Sequence, residues 1–372
     1  MNLLFVEERP RFIGGSERMS LALCRHAIAR GHHAFLAHAE PGDMVGAYAA
    51  SGAKVTRLPV RPLAVRQPLQ AWRSVRALAR IAAEEKIDWI FTSQVSYVSL
   101  LALAGRLSGA GTAVHLGLAY DFPSPLFRFG QRRIHLGVAP SAHTATAWLL
   151  RGWPPESLQI IPNGVDLEVF RPSGDRATAR QKLAAIPSGQ PLVTYVGRLV
   201  GEKGIFTLLR AFAAYRRTAG NGFLLLAGHA AADEVAALHR LATELGLPAD
   251  AWRVQTATDR PEEIYRAADI AVTPSEWDEP FGLAPLEAMA CGAFALVSDR
   301  GVLPSFVASI GQECVFPAGD ATALARRLSR WLGNPAAREG AAKQLMENTR
   351  REYAFATCGD AYLEAFANRP PT

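Results

Sequence analysis

Two carboxylates frame the stretch "WDEPFGLAPLEAMACG", Trp277 to Gly292. Glu279 stands in a segment marked by proline and glycine. Glu287 follows after seven intervening residues, just inside an apolar run with helical spacing. A helix starting near Leu283 leaves the amides around Phe281, Gly282 and Leu283 without intrahelical partners. Such amides can donate to hydroxyls or phosphate oxygens, and Gly282 lets the backbone come close to a ligand. Glu279 is expected at the mouth of such a site and Glu287 about one turn into the helix. Carboxylates in these places suit hydrogen bonds from the vicinal diols of a sugar or a ribose. Spacing alone leaves two other readings open. The acids can complement the helix dipole, which accounts better for Glu279 than for Glu287, or they can form an acid/base pair for hydrolysis.

A second stretch, "VTYVGRLVGEKGI", brings cations. A strand ends at Val196, Gly197 lets the chain turn, and Arg198 and Lys203 precede Gly204 and the next helix. Two cations at the carboxyl end of a buried strand suit a diphosphate. By spacing alone they fit solvated loop residues equally well. His115, in "AVHLG", reads by itself as a core or loop histidine.

The elements that must position these residues alternate β then α, twice over. "NLLFVEE" is an apolar strand, followed by a glycine turn, a cap at Ser16 and an amphipathic helix ending at Gly31. "HAFLAHA", "KVTRLPV", "IDWIFTS", "TAVHLGLA" and "LGVAPS" are further strands, with a long helix in "PLQAWRSVRALARIAAEEK". "IIPNGVDLEVFRPSGD" is rich in Pro, Gly, Asn and Asp and reads as a linker. The pattern then restarts with strands "PLVTYVG", "GFLLLAG", "DIAVTPS" and "AFALVSD", helices between them, and a helix opened by Asp320. The fold class predicted is α/β: two doubly wound Rossmann-like domains facing each other across a cleft. The expected divisions are residues 1–168, 169–350 and a closing helix in 351–372.

Composition narrows the classes further. Hydrophobic content of 49% and charged content of 20% describe an ordered globular chain. The four cysteines are scattered with no C-x-x-C pair, which argues against a disulfide framework or zinc site and fits a reducing cytoplasm. The first residues, "MNLLFVEERP", are too short an apolar run for a signal peptide, and "VSYVSLLALAG" is too short for a membrane span. Residues 1–172 carry 19 Lys/Arg against 12 Asp/Glu, and the remainder 21 against 22. That imbalance suits an anionic partner: a phosphorylated lipid, a membrane surface or an acidic glycan. It fits equally well with arginine used for solubility. Nucleic acid is not expected, because the basic residues are not interleaved with stacking aromatics.

"EPFGLAPLEAMACG", "VGRLVGEKG", "IPNGVDLEVF" and the early "GGSE" resemble, in order, the motifs of the retaining glycosyltransferases of family four, which have the GT-B fold. The resemblance runs from Gly14 to the last helix. It implies transfer of a sugar from a nucleoside diphosphate sugar to an acceptor hydroxyl, with retention and without a metal. The chain contains no D-x-D triplet, the usual metal handle of the other large transferase fold. The catalytic residues implied are Glu279, His115, Arg198 and Lys203. Glu279 would contact the donor sugar and Glu287 the ribose. The backbone from Phe281 to Leu283 would hold sugar hydroxyls and diphosphate oxygens, and Arg198 and Lys203 would neutralise the diphosphate. Gly15 would approach the phosphates and the acceptor, with His115 near the reacting centre. The donor expected is a UDP-sugar ahead of a GDP-sugar, with no further cofactor. The acceptor expected is an anionic lipid, a glycan or a small molecule, at the inner face of a membrane that the basic first domain touches. The competing functions are a nucleotide-sugar epimerase, a phosphorylase and a non-catalytic glycan- or membrane-binding module. Two stretches depart from the family pattern: Phe294 replaces a common proline, and "VQTATDRPEEIY" is shorter than usual near the expected base.

Overall fold

Short apolar runs separated by amphipathic helices assemble into two all-parallel sheets in the computed structural model of the chain. The structure describes residues 1–11, 15–64, 66–122, 124–181, 183, 186–187, 189–256, 258 and 260–369. Two compact units result: residues 1–164 with 355–372, and residues 165–354.

The first unit holds β1 (Asn2–Glu7), β2 (His33–His38), β3 (Lys54–Arg57), β4 (Trp89–Thr92), β5 (Gly111–His115), β6 (Leu136–Ala139) and β7 (Leu158–Ile160). They lie in the order β3-β2-β1-β4-β5-β6-β7. Successive residues of β1 point to opposite faces, as a strand's period of two requires. Leu3 and Phe5 pack with Met19 and Leu23 of the helix Gly15–Ala29 and with Tyr362 and Phe366 of the helix Phe355–Ala367. Leu4 and Val6 face the other way, toward Leu78 of the helix Pro68–Glu84 and Leu101 of the helix Val98–Ser108. Helices therefore cover both faces. The helix after β1 begins at Gly15, so Ser16 lies inside its first turn instead of capping it. Gly14, where the family resemblance begins, lies outside the described residues, as do Ala257 and Asp259 of the shortened "VQTATDRPEEIY" stretch.

The second unit repeats the plan with β8 (Leu192–Val196), β9 (Phe223–Ala227), β10 (Trp252–Gln255), β11 (Ile270–Thr273), β12 (Phe294–Ser298) and β13 (Val315–Phe316), in the order β10-β9-β8-β11-β12-β13. As predicted, Asp320 opens a helix, Ala321–Leu332, by accepting from the Ala323 amide at 2.8 Å. Phe294 opens β12 fully buried, its ring centroid 4.3 Å from that of Trp331. The ring fills the core behind the sheet where the family's proline would stand. In both sheets the first strand has the second on one side and the fourth strand or its equivalent on the other. The order in which strands are added reverses there, and a crevice opens at the strands' carboxyl ends.

Candidate functional site

In the second unit that reversal lies between β8 and β11, and the two conspicuous stretches of sequence leave these strands. After β8 the chain turns at Gly197 and forms a short 3-10 turn, Gly201–Lys203, that ends on Gly204. Gly204 has φ +71°, and a Cβ there would sit 1.8 Å from the Pro274 carbonyl oxygen. Only glycine meets both demands, so the β8 loop can press against the β11 loop. The Glu276 amide then donates to the Glu202 carbonyl at 2.9 Å.

This close approach brings Lys203 to Glu279. The Lys203 ammonium donates to Glu279 Oε1 at 2.5 Å, and the Ser275 hydroxyl donates to the same oxygen at 2.5 Å. The ammonium also stands 4.6 Å from the centroid of the Trp277 ring. Both partners are sheltered, with side-chain exposures of 15% for Lys203 and 8% for Glu279. Glu279 is therefore not at an open mouth. Its carboxylate is drawn inward by Lys203 and Ser275, and its backbone lies under Gly301, where even a Cβ would come within 2.2 Å of the Glu279 carbonyl oxygen. Arg198 behaves differently: it is exposed and pairs with Glu202 at 3.0 Å.

The helix expected near Leu283 spans Leu283–Ala290. Gly282 precedes it at φ +79° and makes no side-chain cap, so the helix start lacks the usual N-cap acceptor. Phe281 is buried and packs edge-on against Phe306 at 5.2 Å, which anchors the loop. Leu283 packs on the same core. Glu287 lies half-buried, one turn into the helix. The second unit thus places Arg198, Lys203, Glu279, Phe281, Gly282, Leu283 and Glu287 on the loops and helix that follow β8 and β11, with Lys203 and Glu279 in direct contact.

Gly15 and His115 belong to the first unit. Gly15 is exposed at the start of its helix. His115 closes β5 fully buried. Its Nδ1 lies 2.9 Å from the Tyr362 hydroxyl, and its Nε2 has no hydrogen-bond partner among the described residues. Burial lowers its pKa to about 4, so the imidazole is neutral near pH 7.

Three contributors were not singled out from the sequence. Ser275 and Trp277 lie just before Glu279 in the chain, and their nearness was the available signal. Tyr362 lies 247 residues from His115, and no local pattern marks that contact.

Comparison with known proteins fits this geometry. A model of the Glycosyltransferase Family 4 matches residues 13–169, and a model of Glycosyl transferases group 1 matches residues 175–352. The chain belongs to this glycosyltransferase family. Curated relatives include a D-inositol 3-phosphate glycosyltransferase of Segniliparus rotundus, 38% identical over 41% of this chain and 34% of the relative. An alpha-maltose-1-phosphate synthase of Mycobacterium tuberculosis is 31% identical over 59% of each chain. The chain therefore spans about a third to six-tenths of the length of these relatives. Among solved structures, Anabaena HepE in complex with UDP and glucose superposes with a TM-score of 0.82 at 20% identity, covering 98% of this chain and 99% of that one. A glycosyltransferase from Rickettsia africae gives 0.87 at 16% identity, covering 99% and 98%. These likenesses establish the GT-B fold for this member of the family.

Proposed function

We propose that this chain is a retaining glycosyltransferase. It takes a sugar from a nucleoside diphosphate donor held by the second unit and passes it to an acceptor hydroxyl held by the first. The observation that carries this reading is the Lys203–Glu279–Ser275 cluster at the β8/β11 reversal, beside the uncapped start of the helix Leu283–Ala290. A diphosphate laid across that helix start meets amides and the Lys203 ammonium, and Arg198 reaches it from the exposed side. Fixed donors of this kind stabilise the charge that develops as the diphosphate leaves, without having to reorient. Glu279 holds Lys203 in place and offers its remaining oxygen to a hydroxyl of the donor sugar. Glu287 accepts from the ribose. Neutral His115 and Gly15 stand on the acceptor side, and the leaving phosphate takes the acceptor's proton.

With Arg198 and Lys203 supplying positive charge to the diphosphate, the proposed reaction uses no metal. A UDP-sugar is the expected donor, and the crystal form of HepE with UDP and glucose supports that choice. The basic first unit is proposed to touch an anionic membrane surface. A thermal-shift screen of the whole chain against uridine, guanosine, adenosine and thymidine diphosphates and their sugar conjugates, with and without magnesium, tests the donor reading. The uridine compounds should raise the melting temperature, equally in both conditions. No shift with any nucleotide would defeat it, and a shift that requires magnesium would defeat the metal-free form.

A further inference from the structure

The first unit contains a pocket of about 240 Å³ at the carboxyl ends of β4 and β5, against the first turn of the helix Gly15–Ala29. Its volume falls below the roughly 300–1,000 Å³ of a drug-sized site, which suits one small ring. Its polar lining, which includes the hydroxyls of Ser16 and Ser96, offers both donors and acceptors. The Ser93 hydroxyl donates backward, at 3.1 Å, to Glu7, a fully buried carboxyl at the end of β1. Ser93 therefore presents its lone pairs to the pocket. Gln94 accepts from the Glu8 amide at 3.2 Å through Oε1, which leaves its NH2 group to donate. Glu17 lines the same pocket and adds a carboxylate, and no lysine or arginine is among the described lining residues. The nearest residues in sequence outside the described set, Phe12, Ile13, Gly14 and Pro123, carry no charge either.

An unpaired buried group lies at the edge of this space. A Cβ on Gly117 would stand 3.4 Å from His115 Nε2 and 2.7 Å from Ser16 Oγ, so glycine keeps a gap open between them. His115 Nε2 is buried and has no hydrogen-bond partner among the described residues. Tyr120, half exposed, supplies an aromatic face at the pocket's rim.

We propose that this pocket takes the acceptor as a neutral, hydroxyl-bearing sugar ring and discriminates against a phosphorylated one. The proposal rests on the reading that the first unit holds the acceptor. A sugar hydroxyl both donates and accepts, as Ser93, Gln94 and Glu17 together require. A phosphate only accepts near neutral pH, so it finds no use for the Ser93 lone pairs and is repelled by Glu17. The helix start would otherwise attract an anion, but Glu17 in its first turn already occupies the positive end of the dipole. The aromatic face of Tyr120 suits the C–H face of a pyranose. The described lining holds no lysine or arginine, and several basic side chains of this unit lie on the outer face of the helix Pro68–Glu84.

Ligand-observed saturation-transfer NMR on the whole chain at about pH 8, above the usual carboxylate range, tests this. The probes are the methyl glycosides of glucose, galactose and mannose, and the corresponding hexose 6-phosphates, at equal concentrations. At least one neutral glycoside should bind, several-fold more strongly than its phosphorylated counterpart. Glu17→Arg should narrow or reverse that preference, and Gly117→Ala should abolish the neutral signal. In both variants the melting shift given by UDP should be unchanged. A 6-phosphate that binds better than its neutral counterpart would overturn the proposal, as would silence from all three glycosides. A wild-type chain that binds a glycoside but shows no UDP shift would defeat the donor reading and leave this one standing.

Discussion

At the residue scale the site turns on one buried ion pair. Lys203 and Glu279 are sheltered together, and removing either leaves the other's charge short of a partner. Breaking a buried pair in this way costs about 3–5 kcal/mol. Lys203→Ala should therefore lower the melting temperature as well as turnover, with a loss of about 10²–10³ in kcat if the ammonium stabilises the leaving diphosphate. Glu279→Gln keeps an acceptor for Ser275 and should lose less stability while losing comparable turnover. Steady-state kinetics beside thermal melts separate the two effects. Near-normal kcat in folded Lys203→Ala protein would remove Lys203 from the chemistry. The types and order of these residues were legible in the sequence, because a strand end, a glycine and a helix start are local signals. The direct contact between Lys203 and Glu279 was not. It depends on β8 and β11 being neighbours and on Gly204 passing beneath the Pro274 carbonyl, facts of topology that a sequence separation of 76 residues conceals.

At the element scale, most apolar runs of four to six residues were read correctly as strands, because burial on both faces removes any polar alternation. Several of the elements missed have weak patterns, although the apolar helix Val98–Ser108 and the strand β10 were missed as well. The strands β7 and β13 have only three and two residues, too few to show a period. The 18-residue helix Pro335–Glu352 has a low hydrophobic mean and little amphipathic contrast, yet Asn334 caps it by accepting from the Ala337 amide at 3.2 Å. The helix Pro68–Glu84 was expected, but which of its faces is solvated was not legible. Ser74, Val75 and Leu78 are buried, while Leu69, Trp72, Arg73, Arg76 and Arg80 face outward. Leu69 is 76% and Trp72 53% exposed, with the Arg76 guanidinium 6.0 Å from the Trp72 ring. An aromatic and an aliphatic side chain among arginines suit the interface of an anionic bilayer. The chain should co-sediment with phosphatidylglycerol vesicles at low salt and release as salt rises. Trp72→Ala should weaken binding without altering the fold. Equal binding to neutral vesicles, or none at low salt, would argue against this contact. Among the described residues no helix is long and apolar enough to cross a membrane.

At the scale of the whole molecule, two buried titratable groups in the first unit give stability opposing dependences on pH. Burial raises the pKa of Glu7 to about 7, although hydrogen bonds from Ser20 and Ser93 partly offset it. Burial lowers that of His115 to about 4. Between its unfolded value of 4.5 and about 7, Glu7 binds more proton in the folded state. Its contribution to stability is therefore full below 4.5 and is lost as pH rises through 7. His115 acts in the other sense. Between 4 and its unfolded 6.5 the unfolded chain binds the extra proton, so stability is lost as pH falls through that range. The two nearly cancel between about pH 4.5 and 6.5, and replacing one exposes the other. Glu7→Gln keeps the shape and an acceptor for Ser93 but cannot ionise. It should equal or fall slightly below the wild type at pH 4.5 and exceed it at pH 8, with a difference of up to about 3 kcal/mol, each pKa unit being worth about 1.4 kcal/mol. Urea unfolding across that range, followed by tryptophan fluorescence, measures it. A Glu7→Gln advantage that is the same at both ends of the range would show that Glu7 does not change its ionisation on folding, and the carboxyl beneath Ser93 would then be as charged in the native protein as in the unfolded chain.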